Sequence, residues 1–359
     1  MSNYQIAVFP GDGIGLEVIA AANTVLDACE KKFGFTLARR SWDGGAAYYR
    51  DTGKELEDGA FEAARAADAI LFGAMGLPEV RLPDGTEVAP HLEMRREFHL
   101  YAGVRPARKY PNTPDVLASP EARNVDLIVL RESTEGLFAS RGKGVVENDA
   151  VARDTMVITR KTSEKLFDFA FRLAARRREL GRGKGRVTCV DKSNVFVSMA
   201  FFRKIFDERR KSFSDMTGDH SYIDAAALDL VRKPWLFDVM VMENMFADIL
   251  SDLCGGLVGG MGMAPCAEIG DEHALFQPAH GSAPDIAGKM ISNPTAMLVS
   301  TAMMLDWLGE RAGDQALQDA AVALDEAVYK AYDDAAVLPY ELGGKTGTEA
   351  FVAAVLERL

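Results

Sequence analysis

Two aspartates, Asp248 and Asp252, stand four residues apart in the stretch Glu243–Gly256, ENMFADILSDLCGG. On an α-helix that spacing stacks both carboxylates on one face, one turn apart, where like charges repel. A hard divalent cation, Mg²⁺ or Mn²⁺, turns the repulsion into attraction, and a substrate oxygen completes its shell. Taken alone, an Asp-x-x-x-Asp pair reads better as a solvated acidic face, so the rest of the chain has to supply partners. Three arginines are candidates. Arg95 lies in HLEMRREFHL, Arg105 on the strand edge of YAGVRPAR, and Arg131 after the apolar run Asp126–Leu130. A helix turn and two strand ends are where α/β folds place ligand-binding groups, and three such guanidiniums could clamp a dicarboxylate through paired hydrogen bonds. Singly, each arginine reads as a surface charge.

The elements that must position these residues are legible in outline. Ile249, Leu250 and Leu253 are expected to anchor the acidic helix, and Phe237–Met242 reads as the strand that feeds it. Gln5–Phe9 is a short apolar run, followed by the glycine turn GDGIG at Gly11–Gly15 and a helix from Leu16 to Phe33. This is not the Rossmann fingerprint, because Leu16 stands where its third glycine belongs. Ala69–Ala74 and Val187–Val190 read as buried strands, and Lys192 in DKSN falls at a loop mouth. Val151–Thr159 alternates like a strand, Lys161–Arg178 reads as a helix, and Tyr222–Val231 reads as a helix with Asp224 near its start. Helices are expected over Asn293–Leu308, Gln315–Asp333 and Thr348–Arg358. Strands alternating with helices over most of the chain predict an α/β architecture.

With 359 residues, 48% of them hydrophobic, the chain has material for one large or two medium domains. Its net charge of −12 speaks against a nucleic-acid partner, so positive charge for an anionic substrate must be local. Cys29, Cys189, Cys254 and Cys266 show no C-x-x-C spacing and read as reduced thiols. The start of the chain lacks a signal-peptide pattern, and no uncharged run approaches the ~20 residues of a membrane span. A cytoplasmic protein with no membrane partner is expected.

VRPAR, RESTEG, DKSNV, YIDAAA, ENMFADILSD and HGSAPDIAGK follow one another in the order seen in the β-decarboxylating dehydrogenases. The chain resembles that family of isopropylmalate, isocitrate, homoisocitrate, tartrate and D-malate dehydrogenases from GDGIG to LGGKTGTEAF. The resemblance implies an α/β two-domain sandwich with a central cleft. Residues 1–104 and 260–359 would form a cofactor-binding domain built from both chain ends. Residues 105–259 would form a metal, substrate and dimerisation domain.

The resemblance also implies a homodimer with shared active sites. Asp248 and Asp252 would bind the metal from one chain, while the other chain would donate Asp224 as a third ligand and Lys192 as general base. Arg95, Arg105 and Arg131 would hold the carboxylates of a small-molecule dicarboxylate, with His91 and Leu92 facing its side group and Val88 one turn earlier. The segment His280, Gly281, Ser282, Ala283, Pro284, Asp285 and Ile286, with Asn293, would hold the adenosine half of the cofactor. Asp285 can accept from both ribose hydroxyls and would repel a 2′-phosphate, which favours NAD. On its residues alone, His280 reads as a structural histidine.

Three departures from the family pattern stand out. Phe138 occupies the place of a tyrosine that returns a proton after decarboxylation, leaving Lys192, Tyr222 or water for that step. His91 makes the side-group pocket half polar, which keeps tartrate and D-malate beside 3-isopropylmalate as substrates, with 3-isopropylmalate preferred on overall likeness. Gln277 replaces a glutamate common before the His-Gly-Ser run. An NAD- and metal-dependent oxidative decarboxylation is expected; the rival is an impaired homologue that only binds NAD or a dicarboxylate.

Overall fold

The computed structural model describes residues 3–359. It forms two compact units, one made of residues up to Phe98, Tyr110–Val116 and Val258–Leu359, the other of His99–Lys109 and Leu117–Leu257. The first unit opens with β1 (Asn3–Gly11), α1 (Gly15–Phe33), β2 (Thr36–Ser41), α2 (Ala46–Thr52), α3 (Ala60–Ala66), β3 (Ala69–Ala74) and α4 (Pro90–Glu97). The second unit carries β4 (Ala102–Arg108), β5 (Asp126–Glu132), β6 (Val145–Glu147), β7 (Val151–Arg153), α5 (Arg160–Glu179) and β8 (Arg186–Asp191). It continues with α6 (Val197–Arg210), β9 (Thr217–Tyr222), α7 (Ile223–Arg232), β10 (Val239–Met242) and α8 (Asn244–Val258). The chain then completes the first unit with β11 (Pro265–Ile269), β12 (Ala274–Pro278), α9 (Thr295–Ala312), α10 (Gln315–Ala331) and α11 (Thr348–Leu356). This is a mixed α/β fold.

In the first unit the strands run in the order β2-β1-β3-β12-β11, parallel except for the β12–β11 pair. All six residues of β3, AILFGA, are buried, as a parallel strand covered on both faces requires. Helix α1 buries Val18, Ala22, Val25 and Cys29, one face at helical spacing, and ends at Gly34 in the left-handed conformation that glycine adopts without penalty. Helix α9 is buried over most of its circumference and packs on α1, α10, β11 and β12.

The second unit's strands run β4-β5-β10-β8-β9, with β4 antiparallel to β5 and the rest parallel. Helices α5 and α6 cover one face through an aromatic cluster in which Phe167 and Phe171 meet Phe202 and Phe206. The alternating stretch expected to run as a strand over Val151–Thr159 pairs only as far as Arg153, in an exposed hairpin with β6. Beyond it Val157 makes a single bridge to Gly136, because no neighbouring strand continues alongside. Among the described residues no helix is long and apolar enough to cross a membrane.

Candidate active site

Helix α8 explains itself by spacing: Ala247, Leu250, Cys254 and Val258 are buried on one face. Ile249, expected among the anchors, is 61% exposed, and Leu253 is only half-buried. The residues three, four and seven apart set the buried stripe, and position 249 falls off it. Asp248 and Asp252 project from the same helix, and two buried arginines of the second unit reach them. From the end of β5, Arg131 donates through Nη1 to Asp248 Oδ1, and through Nε and Nη2 to Asn244 Oδ1 at 2.9 and 2.7 Å. Arg105 lies within β4 rather than at its end, and its Nη1 donates to Ser251 Oγ at 2.7 Å and to Asp248 Oδ1 at 3.3 Å. Asp252 Oδ1 stands 3.9 Å from the same nitrogen. Partial burial pushes the Asp252 carboxyl upward; Arg105 opposes this and the Asp248 charge adds to it.

Asn244, Ser251 and Glu135 were not singled out from the sequence, yet they hold this constellation in place. Glu135 accepts from Thr159 N at 2.8 Å and Thr162 Oγ1 at 2.7 Å, and its carbonyl accepts from Asn244 Nδ2 at 3.2 Å. Glu132 is buried and accepts from Thr134 N, Thr134 Oγ1 and Glu135 N at 2.7, 2.6 and 2.7 Å. Those bonds shape the RESTEG turn, although burial outweighs them and pushes the Glu132 carboxyl up to about 7. The ring of Phe138 lies under the Arg131 guanidinium, 5.1 Å from Cζ to centroid, and is 39% exposed. Phe138 therefore packs as a cation–π platform where it offers no proton.

Lys192, just past β8, donates to Asp224 Oδ1 of α7 at 2.6 Å. That hydrogen bond holds the Asp224 carboxyl below its ordinary range. The Tyr222 ring lies 5.9 Å from Lys192 Nζ and 5.0 Å from Arg203 Cζ. Arg203 is fixed in turn by buried Asp191, at 2.7 Å from Nε to Oδ2. Cys189, Asp191 and His220 place possible ligand atoms within 4.8 Å of one another. Both Asp191 oxygens are already taken, by Arg203 and by Ser193 N, so a guanidinium supplies the cation there.

In the first unit, Arg95 on α4 is buried, and its Nη2 stands 3.0 Å from the fully buried carboxylate of Glu268. Its Nε–H is buried without a hydrogen-bond partner. The His91 ring makes a T-shaped contact with Phe72, 5.6 Å between centroids, and Leu92 beside it is half-buried. Val88 is buried against Ala46 and Val80. The His280–Ile286 loop is tied to the glycine turn, since Ile14 N donates to Ser282 O at 2.8 Å, and to the loop after β3, since Ser282 Oγ donates to Gly76 O. A Cβ on Gly13 would meet Ser282 O at 2.0 Å, so only glycine fits under the loop. Burial lowers the His280 imidazole, and its Nε2 is buried with no partner. Ala283 has φ of +38°, a strained value for a residue with a Cβ. Asp285 is exposed. Asn293 spends its amide within the unit, donating to Glu341 Oε2 at 3.0 Å and accepting from Thr295 N at 3.1 Å. Glu17, not singled out from the sequence, accepts from Gly288 N at 2.5 Å and Ser292 Oγ at 2.8 Å.

The sequence profile of the Isocitrate/isopropylmalate dehydrogenase family matches residues 5–355. The chain belongs to this family. The dehydrogenase is 38% identical over 357 residues to the 3-isopropylmalate/3-methylmalate dehydrogenase of Methanocaldococcus jannaschii, covering 99% of each chain. It is also 38% identical over 358 residues to the isocitrate/homoisocitrate dehydrogenase of Thermus thermophilus, covering 99% of this chain and 98% of that one. Its structure resembles an isocitrate dehydrogenase from Methylococcus capsulatus with a TM-score of 0.83 at 34% identity, covering 99% of both chains. It is accordingly an oxidoreductase of the oxidatively decarboxylating kind.

The dehydrogenase's residues suit the groups its family implies. Arg105 and Arg131 both engage Asp248 Oδ1, and the Asp248 and Asp252 side chains stay 40% and 60% exposed, so carboxylate oxygens remain open to a divalent ion. The buried, partnerless His280 Nε2 and the exposed Asp285 give a dinucleotide a polar atom to satisfy and a carboxylate for ribose hydroxyls.

Proposed function

We propose that this enzyme is an NAD- and divalent-metal-dependent dehydrogenase of a (2R)-malate-type 2-hydroxy-3-carboxy acid, with 3-isopropylmalate as the preferred substrate. The observation that carries the reading is the convergence of buried Arg105 and Arg131 on the Asp248–Asp252 face of α8. Arg105 and Arg131, with Arg95, orient the two carboxylates. Their surroundings are mostly buried, so each hydrogen bond to a charged acceptor is stronger than at a wet surface. When bound, the metal acidifies the substrate hydroxyl and stabilises the negative charge of decarboxylation, and NAD⁺ takes the hydride.

Asp248 and Asp252, with Asp224 of a second subunit, hold the ion. Lys192 accepts the hydroxyl proton, directly or through water. Its 2.6 Å contact with Asp224 supports this role by keeping the lysine beside a carboxylate that would help hold the ion. A homodimer is supported by apolar side chains left exposed in the second unit: Leu228 and Val231 on α7, Ile249 on α8, and Val145 and Val146 on the hairpin. The family resemblance supplies the role of Asp224 as a donated ligand. His280, Gly281, Ser282, Ala283, Pro284, Asp285, Ile286 and Asn293 hold the cofactor, and the Asp285 carboxylate selects against a 2′-phosphate. A cytoplasmic location agrees with four buried, unbridged cysteines.

Tartrate or D-malate is the second reading, motivated by the polar His91 beside Leu92. A spectrophotometric screen of 3-isopropylmalate, D-malate and tartrate with NAD⁺ or NADP⁺, with and without Mn²⁺, decides between them. The highest kcat/KM is expected with 3-isopropylmalate, NAD⁺ and Mn²⁺. Turnover of none of the acids, with NAD⁺ still bound, would replace the enzyme by a binding protein.

A further inference from the structure

Strand β11 carries a carboxylate where a core strand has no ordinary use for one. Glu268 is wholly buried, between buried Ala267 and half-buried Ile269, and it pairs across the ladder with Leu275 of β12. Its Oε1 stands 3.0 Å from Arg95 Nη2 and 3.5 Å from the Cys266 thiol, which donates to it. A buried carboxylate and a buried guanidinium 3.0 Å apart each offset the other's desolvation, so the pair is mutually dependent. The arginine gains a fixed orientation, with Nη2 turned to Glu268 and Nε–H left buried without an acceptor. It loses net charge, because the guanidinium is half of a neutral pair before any substrate arrives.

We propose that Glu268 is a positioning and specificity residue: it locks Arg95 for a single hydrogen-bonded contact and cancels its charge, so the site prefers a 2-hydroxy dicarboxylate with an uncharged C3 substituent over an acid with a third carboxylate. This rests on the reading of Arg95 as a substrate-binding arginine. The physical reason is Coulombic. A free guanidinium in a poorly solvated pocket attracts a third carboxylate strongly, whereas one already neutralised at 3.0 Å presents a dipole, which falls off faster with distance. The relatives at 38% identity include one named for isopropylmalate and methylmalate and one named for isocitrate and homoisocitrate, so the discrimination falls between chemistries that occur within this range of likeness.

The test measures kcat and KM for 3-isopropylmalate and for isocitrate in the wild type, Glu268→Gln and Glu268→Asp, with the melting temperature of each. The wild type should favour the dicarboxylate by at least about tenfold in kcat/KM, a difference well within reach of one charge contact. Glu268→Gln, which keeps the shape and frees the Arg95 charge, should shift the ratio of the two kcat/KM values toward isocitrate by about tenfold or more. Glu268→Asp, which keeps the charge and retracts it by one methylene, should retain the wild-type preference and raise KM severalfold with kcat nearly unchanged. A folded Glu268→Gln with an unchanged ratio overturns the proposal. Should that variant fail to fold, an unchanged KM in Glu268→Asp overturns it instead. Turnover of neither acid by the wild type would strike the reading of Arg95 itself, a result distinct from a wild type that works on 3-isopropylmalate and variants that do not discriminate.

Discussion

Replacing Asp12 should separate the role of a charge from the role of a shape in the glycine turn. Asp12 is 1% exposed, and its carboxylate accepts three backbone bonds: Oδ2 from Ala46 N at 2.7 Å and Gly76 N at 2.8 Å, Oδ1 from Ala47 N at 2.8 Å. Two of these donors open α2, whose partial positive end further favours the anion. A hydrogen bond to a charged partner is worth about 1.5–3 kcal/mol. Asp12→Asn keeps one acceptor oxygen for Ala46 and Gly76 and turns an amide against Ala47 N, so about 2 kcal/mol should be lost. Asp12→Ala strands all three donors and should cost at least about 4 kcal/mol. Urea unfolding of both variants, with slopes compared to the wild type, measures the difference. Because the same turn bonds Ser282 O through Ile14 N, the NAD⁺ KM should rise in Asp12→Asn while the KM for the acid substrate holds. Equal losses in the two variants, or a loss below about 1 kcal/mol in Asp12→Ala, would refute the reasoning.

Phe138→Tyr should restore a proton donor at the partly exposed ring beside Arg131. If protonation limits the wild type, its turnover should be slow after a first-turnover burst of reduced nicotinamide, and Phe138→Tyr should abolish the burst and raise kcat by up to the ~10²–10⁴-fold that acid catalysis supplies; the same kcat and no burst in either protein would show that Lys192, Tyr222 or water already does the work. Glu132 gives a pH signature. With its carboxyl raised from 4.5 to about 7 in the folded protein, the folded state binds the extra proton, so stability present below pH 4.5 is lost as pH rises toward and through 7. Glu132→Gln should remove most of that fall, on the order of 3 kcal/mol, between unfolding curves at pH 5 and pH 8; parallel curves for the two proteins would contradict it.

The sequence by itself determined the alternation of strands and helices, the helix carrying Asp248 and Asp252, and the strand-end position of Arg131, because helical spacing and apolar runs are local signals. Ordered motifs sufficed to indicate the family. Short strands such as β9 and β12 were not legible, since each is defined by its neighbours more than by its own residues. Tertiary structure decided that Ile249 faces outward and Val88 inward, and that Arg105 sits within β4. It also decided which polar groups are already spoken for: Asn244 and Ser251 hold the arginines, Asn293 serves Glu341, and Glu268 neutralises Arg95. The physical reason is that pairing between residues distant in the chain depends on where strands bring them. Only the tertiary structure put Asp248 and Asp252, ambiguous as a spacing, on the partly exposed helix face that buried Arg105 and Arg131 reach.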